Sequence, residues 1–160
     1  MAREKGKIAE REVAALLERW WRLLEPDCRF VRTPQSGGWH GADVRAEFRA
    51  AGDIMTTAAR FPWCIEVKRR EGWAWTPLLA GKASPIWKWW EQTCRDATVV
   101  SLLPMLWFRH NREPWTILLV RPPPIVHSRF VTRLRGDLVL VRADALLAVQ
   151  PALLLPGVLA

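Results

Sequence analysis

The segment Phe61-Pro62-Trp63-Cys64-Ile65-Glu66-Val67-Lys68 constrains this chain more than any other. β-Branched and aromatic residues dominate it, and it stops at Arg69-Arg70-Glu71-Gly72, which predicts a central strand of a sheet. Successive side chains of a strand point to opposite faces. Ile65 and Val67 therefore enter one apolar face, while Glu66 and Lys68 project together from the other. A carboxylate and an ammonium at i and i+2 also fit an ordinary surface ion pair. The pair gains chemical meaning only from what the rest of the chain brings to it.

Flanking segments supply the layers such a strand needs. Within residues 3–24, Ile8, Val13, Leu16, Leu17, Trp20, Trp21 and Leu24 recur at spacings of three and four, predicting an amphipathic helix stopped by Pro26. Residues 29–32 alternate polar and apolar and run into the turn-forming stretch 33–38, so a strand leads into a loop. A second helix is predicted over 85–97, with Ser84 as N-cap and Pro85 in the first turn. Residues 106–108 and 115–120 flank a polar turn at 110–113 and predict a hairpin, and a last strand (138–141) and short helix (143–147) follow the Pro122-Pro123-Pro124 break. Helix, mixed strands, helix and strands in that order give an α/β or α+β fold with one mixed sheet flanked by helices. At 160 residues the chain fits a single domain spanning 1–160.

Composition narrows the partners. With 24 Lys+Arg against 16 Asp+Glu, the net charge is +8 and the pI near 10.4, which calls for a polyanion. Half the residues are hydrophobic, which excludes a disordered chain. Cys28, Cys64 and Cys94 form no CxxC pair and predict free thiols in a reducing compartment, with no zinc site. The N-terminus lacks the apolar stretch of a signal peptide, and no run approaches the ~18 apolar residues of a membrane span. A cytoplasmic protein is expected, in a bacterial, archaeal or phage-infected cell, with no membrane partner.

Two further acids bear on the Glu66–Lys68 pair. Asp53 follows a glycine on a short predicted strand, and Glu10 lies on the inward-capable side of the first helix. Glu10 also fits a helix-surface acid paired with Lys7 or Arg11. If these acids converge with Glu66, their repulsion raises their pKa values unless a cation neutralises them, and a hard divalent ion such as Mg²⁺ prefers such oxygens.

Four pieces in order, Lys5-Gly6 with Glu10-Arg11, Arg32-Thr33-Pro34-Gln35-Ser36-Gly37, Gly52-Asp53-Ile54 and Ile65-Glu66-Val67-Lys68, resemble the PD-(D/E)xK nucleases. Within that group they are most similar to archaeal-type Holliday junction resolvases and their phage relatives. Asp53 lies thirteen positions before Glu66, the family's usual spacing, whereas Asp43 lies twenty-three before it, in a stretch from Gly37 to Gly52 that is longer than in the archaeal members. Asp43 otherwise fits a loop acid or a cap. The resemblance implies a restriction-endonuclease-like core, a homodimer with two opposed sites, and branched double-stranded DNA as substrate. It implies Mg²⁺, with Mn²⁺ as substitute, held by Asp53, Glu66, the Val67 carbonyl and Glu10. Lys68 then positions or deprotonates the attacking water, Gln92 takes the place of an active-site glutamine, and Arg32 and Ser36 contact phosphate.

Basic residues interleaved with tryptophan extend this reading: Lys5, Arg11, Arg69, Arg70, Lys82 and Lys88 as phosphate contacts, and Trp73, Trp75 and Trp39 on predicted loops as base contacts. Trp87 and Trp90, three apart on one helix face, fit core or dimer contact better, and Trp20, Trp21, Trp107 and Trp115 fit core. His40, His110 and His127 form no ligand spacing and are read as solvent or phosphate contacts. The apolar stretch 137–160 could complete the core or cover a partner. A nuclease for flaps, mismatches or other branched DNA fits the same motif, and so does a DNA-binding protein whose acidic cluster is structural.

Overall fold

A computed structural model describes residues 2–34, 49–120 and 131–155. The expected first helix forms as α1 (Ala2–Trp21), whose stripe of Ala9, Val13, Leu17, Trp20 and Trp21 is buried. After it come three short strands, β1 (Phe30–Arg32), β2 (Arg49–Ala51) and β3 (Ile54–Thr56), paired antiparallel in the order β1-β3-β2. The predicted central strand is β4 (Trp63–Arg69), starting just after Pro62, which has no amide to give a ladder. The chain continues through α2 (Trp75–Leu79), α3 (Pro85–Val99), β5 (Leu103–Arg109), β6 (Thr116–Val120), β7 (Val131–Arg133), β8 (Leu138–Arg142) and α4 (Ala143–Leu147), ending in a 3-10 turn, Pro151–Leu154.

The larger sheet runs β4-β5-β6-β8-β7, parallel between β4 and β5 and antiparallel elsewhere. It is a mixed five-stranded sheet with helices on both faces, the α/β architecture anticipated above. Alternation along each strand sorts the core. Trp63, Ile65, Met105, Trp107, Ile117 and Val141 pack toward α1, whereas Leu106, Phe108, Leu118 and Leu140 pack with Ile86 and Trp90 of α3. On the α1 side Phe61 meets Trp21 and Phe30 edge-on, both at 4.9 Å between ring centres. Such edge contacts contribute about 0.5–1.5 kcal/mol each beyond the area they bury. Ser84 caps α3 as expected, accepting from the Ile86 amide at 3.4 Å.

One glycine joins the two sheets. Gly52 bridges to Ile65 of β4 with φ of +64°, and a Cβ built on it would lie 2.3 Å from the Ile65 carbonyl oxygen. Only glycine tolerates both the approach and the conformation. The next residue, Asp53, is then held from both sides: its amide donates to Ile65 O at 2.8 Å, and its carbonyl accepts from the Thr33 amide at 2.9 Å.

The last described residues join the core on the α1 side. Leu146 and Leu155 are buried on the α1 side, and the Trp20 indole donates to the Val149 carbonyl at 2.7 Å. Helix α2 and strand β7 were not anticipated from the sequence. All three cysteines are free thiols, as expected. Among the described residues no helix is long and apolar enough to cross a membrane.

Candidate active site

Glu66 lies on the α3 face of β4 and is only 2% exposed. Its Oε1 accepts from Gln92 Nε2 of α3 at 3.1 Å and also from Lys68 Nζ. The i, i+2 pair inferred from strand geometry therefore exists, but buried rather than on an open surface. Asp53 reaches the same place from the junction of the sheets, where its Oδ2 accepts from the Val67 amide at 2.8 Å. Gly52, Asp53, Glu66, Gln92, Asp96, Val99 and Val100 line one cleft between that junction and α3.

Convergence of the acids has the electrostatic consequence that repulsion and burial require. Burial raises the Glu66 carboxyl to about 7, with the Asp53 charge the next cause, Asp96 adding to it and Lys68 opposing. Asp53 is also raised, again mainly by burial, against the stabilising Val67 N–H and Lys68. Glu10, buried on α1, is raised by burial and then by Asp53. Among the described residues its Oε2 accepts no hydrogen bond, and the cation facing it is Arg32, whose Nη1 stands 3.5 Å away. Lys7 pairs with Glu4 instead, so the surface pairing considered for Glu10 with Lys7 does not form.

Carboxylates with raised pKa values and an oxygen left without a donor are the donor set a hard divalent cation takes. Among the described residues no three His, Cys, Asp or Glu side chains stand close enough to ligate one ion together. A cation bound here keeps other oxygens in its shell, as Mg²⁺ does with water and phosphate. The fit is to that kind of ion and not to a closed four-ligand zinc site.

The other singled-out residues fall in three groups. Lys5, Arg11, Arg70, Lys82 and Lys88 are exposed. Arg69 and Arg32 are half-buried and engaged: Arg69 Nε donates to Asn111 Oδ1 at 3.0 Å, and Arg32 Nη1 donates to the Thr33 carbonyl at 3.0 Å besides facing Glu10. Ser36, Trp39, His40, Asp43 and His127 lie outside the described residues.

Two expectations are corrected. Trp73, expected on a loop open to DNA, is buried: its ring stacks on His110 at 3.9 Å, meets Phe108 edge-on at 5.2 Å, and its Nε1 donates to the Arg70 carbonyl. His110 is correspondingly no solvent or phosphate contact, since Glu113 Oε2 holds its Nδ1 at 3.1 Å and its Nε2 lies 3.1 Å from the Trp73 carbonyl oxygen. Trp75 starts α2 and packs edge-on against Trp73 at 4.8 Å, half-buried. Loop placement suggested exposure, whereas the ring burial comes from a hairpin distant in sequence. Trp20, Trp21, Trp107, Trp115 and Trp90 are buried as anticipated, and Trp87 is half-buried beneath the Arg135 guanidinium.

Asp96 is the residue that sequence reasoning missed. It lies four residues after Gln92, so one helical turn along the same face, and that spacing was the available signal.

Among curated proteins nothing matches the chain. A solved structure similar to it is the 1.6 Å resolution structure of Archaeoglobus fulgidus Hjc, a Holliday junction resolvase from an archaeal hyperthermophile, at 15% identity over 88% of this chain and 90% of that one, with a TM-score of 0.40. The family model for phage PDDEXK endonucleases matches residues 1–134, a span that contains Glu10, Asp53, Glu66, Lys68 and Gln92. The chain belongs to this phage PDDEXK endonuclease family and is a nuclease of the PD-(D/E)xK type.

Proposed function

We propose that the protein is a Mg²⁺-dependent endonuclease that resolves four-way DNA junctions by paired hydrolysis of phosphodiester bonds, acting as a homodimer with residues 1–160 as one nuclease domain. The observation that carries this reading is the bond from the Val67 amide to Asp53 Oδ2, which ties a second acid to the strand bearing Glu66 and Lys68. Asp53 and Glu66, with the Val67 carbonyl, would hold the ion directly, and Glu10 would hold it through a bound water, since no three of the described carboxylates stand close enough to share one ion. Bound there, it would polarise the scissile phosphate and lower the pKa of water. Mn²⁺ would substitute for it.

The chain's own groups supply the rest. Gln92 fixes the Glu66 carboxylate by its hydrogen bond, so the acid keeps one orientation. Lys68 exchanges its contact with Glu66 for the attacking water and offsets charge developing on the phosphate. Arg32 and Ser36, near the cut, and the exposed Lys5, Arg11, Arg70, Lys82 and Lys88, with Arg69, would track the DNA backbone. The net charge of +8 supports a large anionic substrate. The order of motifs shared with the junction resolvases supports a branched one, and two strands cut symmetrically require two sites related by a two-fold axis.

A labelled immobile four-way junction and a linear duplex, each with Mg²⁺ or with EDTA, test the reading. Paired symmetric nicks confined to the junction, absent in EDTA and in Glu66→Gln or Asp53→Asn, are expected. Equal cutting of flaps or linear duplex would replace the junction by another substrate. Binding without cleavage under all conditions would refute the assignment of this cleft. Gel filtration of the junction-bound protein checks the dimer.

A further inference from the structure

Arg135 lies in the turn between β7 and β8, just beyond the residues that the family model matches, and the cleft makes no use of it. It is exposed yet held in place. Its guanidinium lies 4.4 Å over the Trp87 ring, and the Trp87 indole donates to the Lys82 carbonyl at 2.9 Å. The turn itself is fixed: the Leu134 amide donates to the Leu138 carbonyl at 2.8 Å, Gly136 takes a φ of +61°, and Leu134 and Leu138 pack in the same cluster as Trp87. Stacking occupies the face of a guanidinium and leaves its in-plane N–H donors on the edge. Among the described residues Arg135 has neither a hydrogen bond nor an ion pair, so that edge is free to meet an anion. A fork of donors already ordered by an indole suits a phosphate group and loses little freedom on binding it.

A line of cations joins this arginine to the cleft. Lys88 stands one helical turn before Gln92, and Arg95 one turn before Val99; both cations are exposed, and Gln92 and Val99 line the cleft. Trp87 faces the other way, toward the β7–β8 turn. From Trp87 to Asp96 is nine residues, about 14 Å along the helix axis, the rise of roughly four base pairs of a duplex. Outside the cleft, Lys82, Lys88, Arg95 and Arg135 stand against two acids on these elements, Glu91 and Asp137. The surface therefore complements a polyanion over a length greater than one phosphate.

We propose that Arg135, positioned by Trp87, forms with Lys82, Lys88 and Arg95 a track across α3 for the phosphate backbone of double-stranded DNA leaving the cleft. This rests on reading the cleft as a nuclease site and extends that reading to Arg95 and Arg135 as contacts and to Trp87 as the residue that holds one of them. Such contacts fix where the duplex lies and carry no base sequence.

Fluorescence anisotropy of a labelled four-way junction with the full chain in EDTA, over a series of NaCl concentrations, reads binding without cleavage. Arg135→Ala is expected to weaken binding about fivefold near 0.1 M NaCl and to reduce the slope of log K against log salt by about 0.9, the share of one phosphate. Arg135→Lys should keep the slope. Trp87→Leu leaves every cation in place and should weaken binding about threefold at unchanged slope, because the DNA must then order the Arg135 side chain. Wild-type affinity and slope in Arg135→Ala overturn the inference. A shift of that variant in gel filtration with its salt slope kept also overturns it, and makes the turn a subunit contact. With Mg²⁺ added, Arg135→Ala should raise KM for the junction and leave kcat within about twofold. A wild type that binds with an Arg135-dependent slope but never cuts refutes the nuclease reading of the cleft and leaves the track standing. A wild type that cuts, with Arg135→Ala matching it in KM and binding, refutes the track alone, and a wild type that binds no DNA refutes both.

Discussion

Glu10 and Glu12 sit two residues apart on α1 and meet opposite fates. Glu12 is fully satisfied: Arg109 Nη2 donates to its Oε2 at 2.6 Å, the Trp115 indole donates to its Oε1 at 3.0 Å, and the Arg109 guanidinium lies 4.3 Å over the Trp115 ring. Glu10 is more deeply buried, yet among the described residues its Oε2 accepts no hydrogen bond, and burial pushes its pKa up. Folding alone accounts for Glu12, which ties the helix to β5 and to the residue preceding β6. It accounts less well for Glu10, because a buried carboxylate with an underprovided oxygen destabilises the chain that carries it. The helix therefore separates an acid fully hydrogen-bonded within the architecture from one that faces only the Arg32 guanidinium, at 3.5 Å.

The contrast can be broken most strongly at the unsatisfied end. Asp53→Asn or Glu66→Gln is expected to lower DNA cleavage by about 10³-fold or more, on the order of 4 kcal/mol of barrier, while circular dichroism stays native. Gly52→Ala comes next. Its Cβ meets the Ile65 carbonyl at 2.3 Å and its φ is +64°, so about 3 kcal/mol of stability should be lost in urea denaturation, with cleavage falling as Asp53 shifts.

A pH series sharpens the same comparison. The folded Glu66 carboxyl lies at about 7 against an ordinary 4.5, so between those values the folded state binds more protons than the unfolded one. Stability in EDTA should fall as pH rises through that window, by on the order of 3 kcal/mol at most. Glu66→Gln should flatten the profile, and Mg²⁺ should oppose the loss. At the architectural end the effect is smallest. Glu12→Ala strands the mostly buried Arg109 and the Trp115 N–H, costing about 2 kcal/mol in thermal or urea unfolding. Cleavage per folded molecule should be unchanged.

How much of this was legible in the sequence depends on how local the signal was. Helices α1 and α3 announced themselves by apolar spacing and by the Ser84-Pro85 start, and β4, the β5–β6 hairpin and the β8–α4 pair by alternation and breaks. Helix α2 is five residues long with Pro77 inside it, and β7 has one half-buried and two exposed residues, so neither carries a periodicity. At the site, strand geometry put Glu66 and Lys68 on one face, while their chemical role and the choice of Asp53, at the family's usual spacing, came from the resemblance to the PD-(D/E)xK nucleases. What could not be read was tertiary. Asp96 looks like any polar residue of an amphipathic helix until α3 is laid along β4, and Trp73 looks like a loop aromatic until the 110–113 turn closes over it.

The strand order β4-β5-β6-β8-β7 also bears on how such a chain can be made. Strand β7 precedes β8 in the sequence but pairs with it and not with β6, so on a ribosome it emerges with no docking edge of its own. Every acid of the cleft has been synthesised by residue 96, whereas the inner strand that lets the sheet close ends at Arg142. Until then the nascent chain holds the chemistry without the scaffold, and a message truncated before β8 should yield an aggregating polypeptide and no stray DNA-cutting fragment.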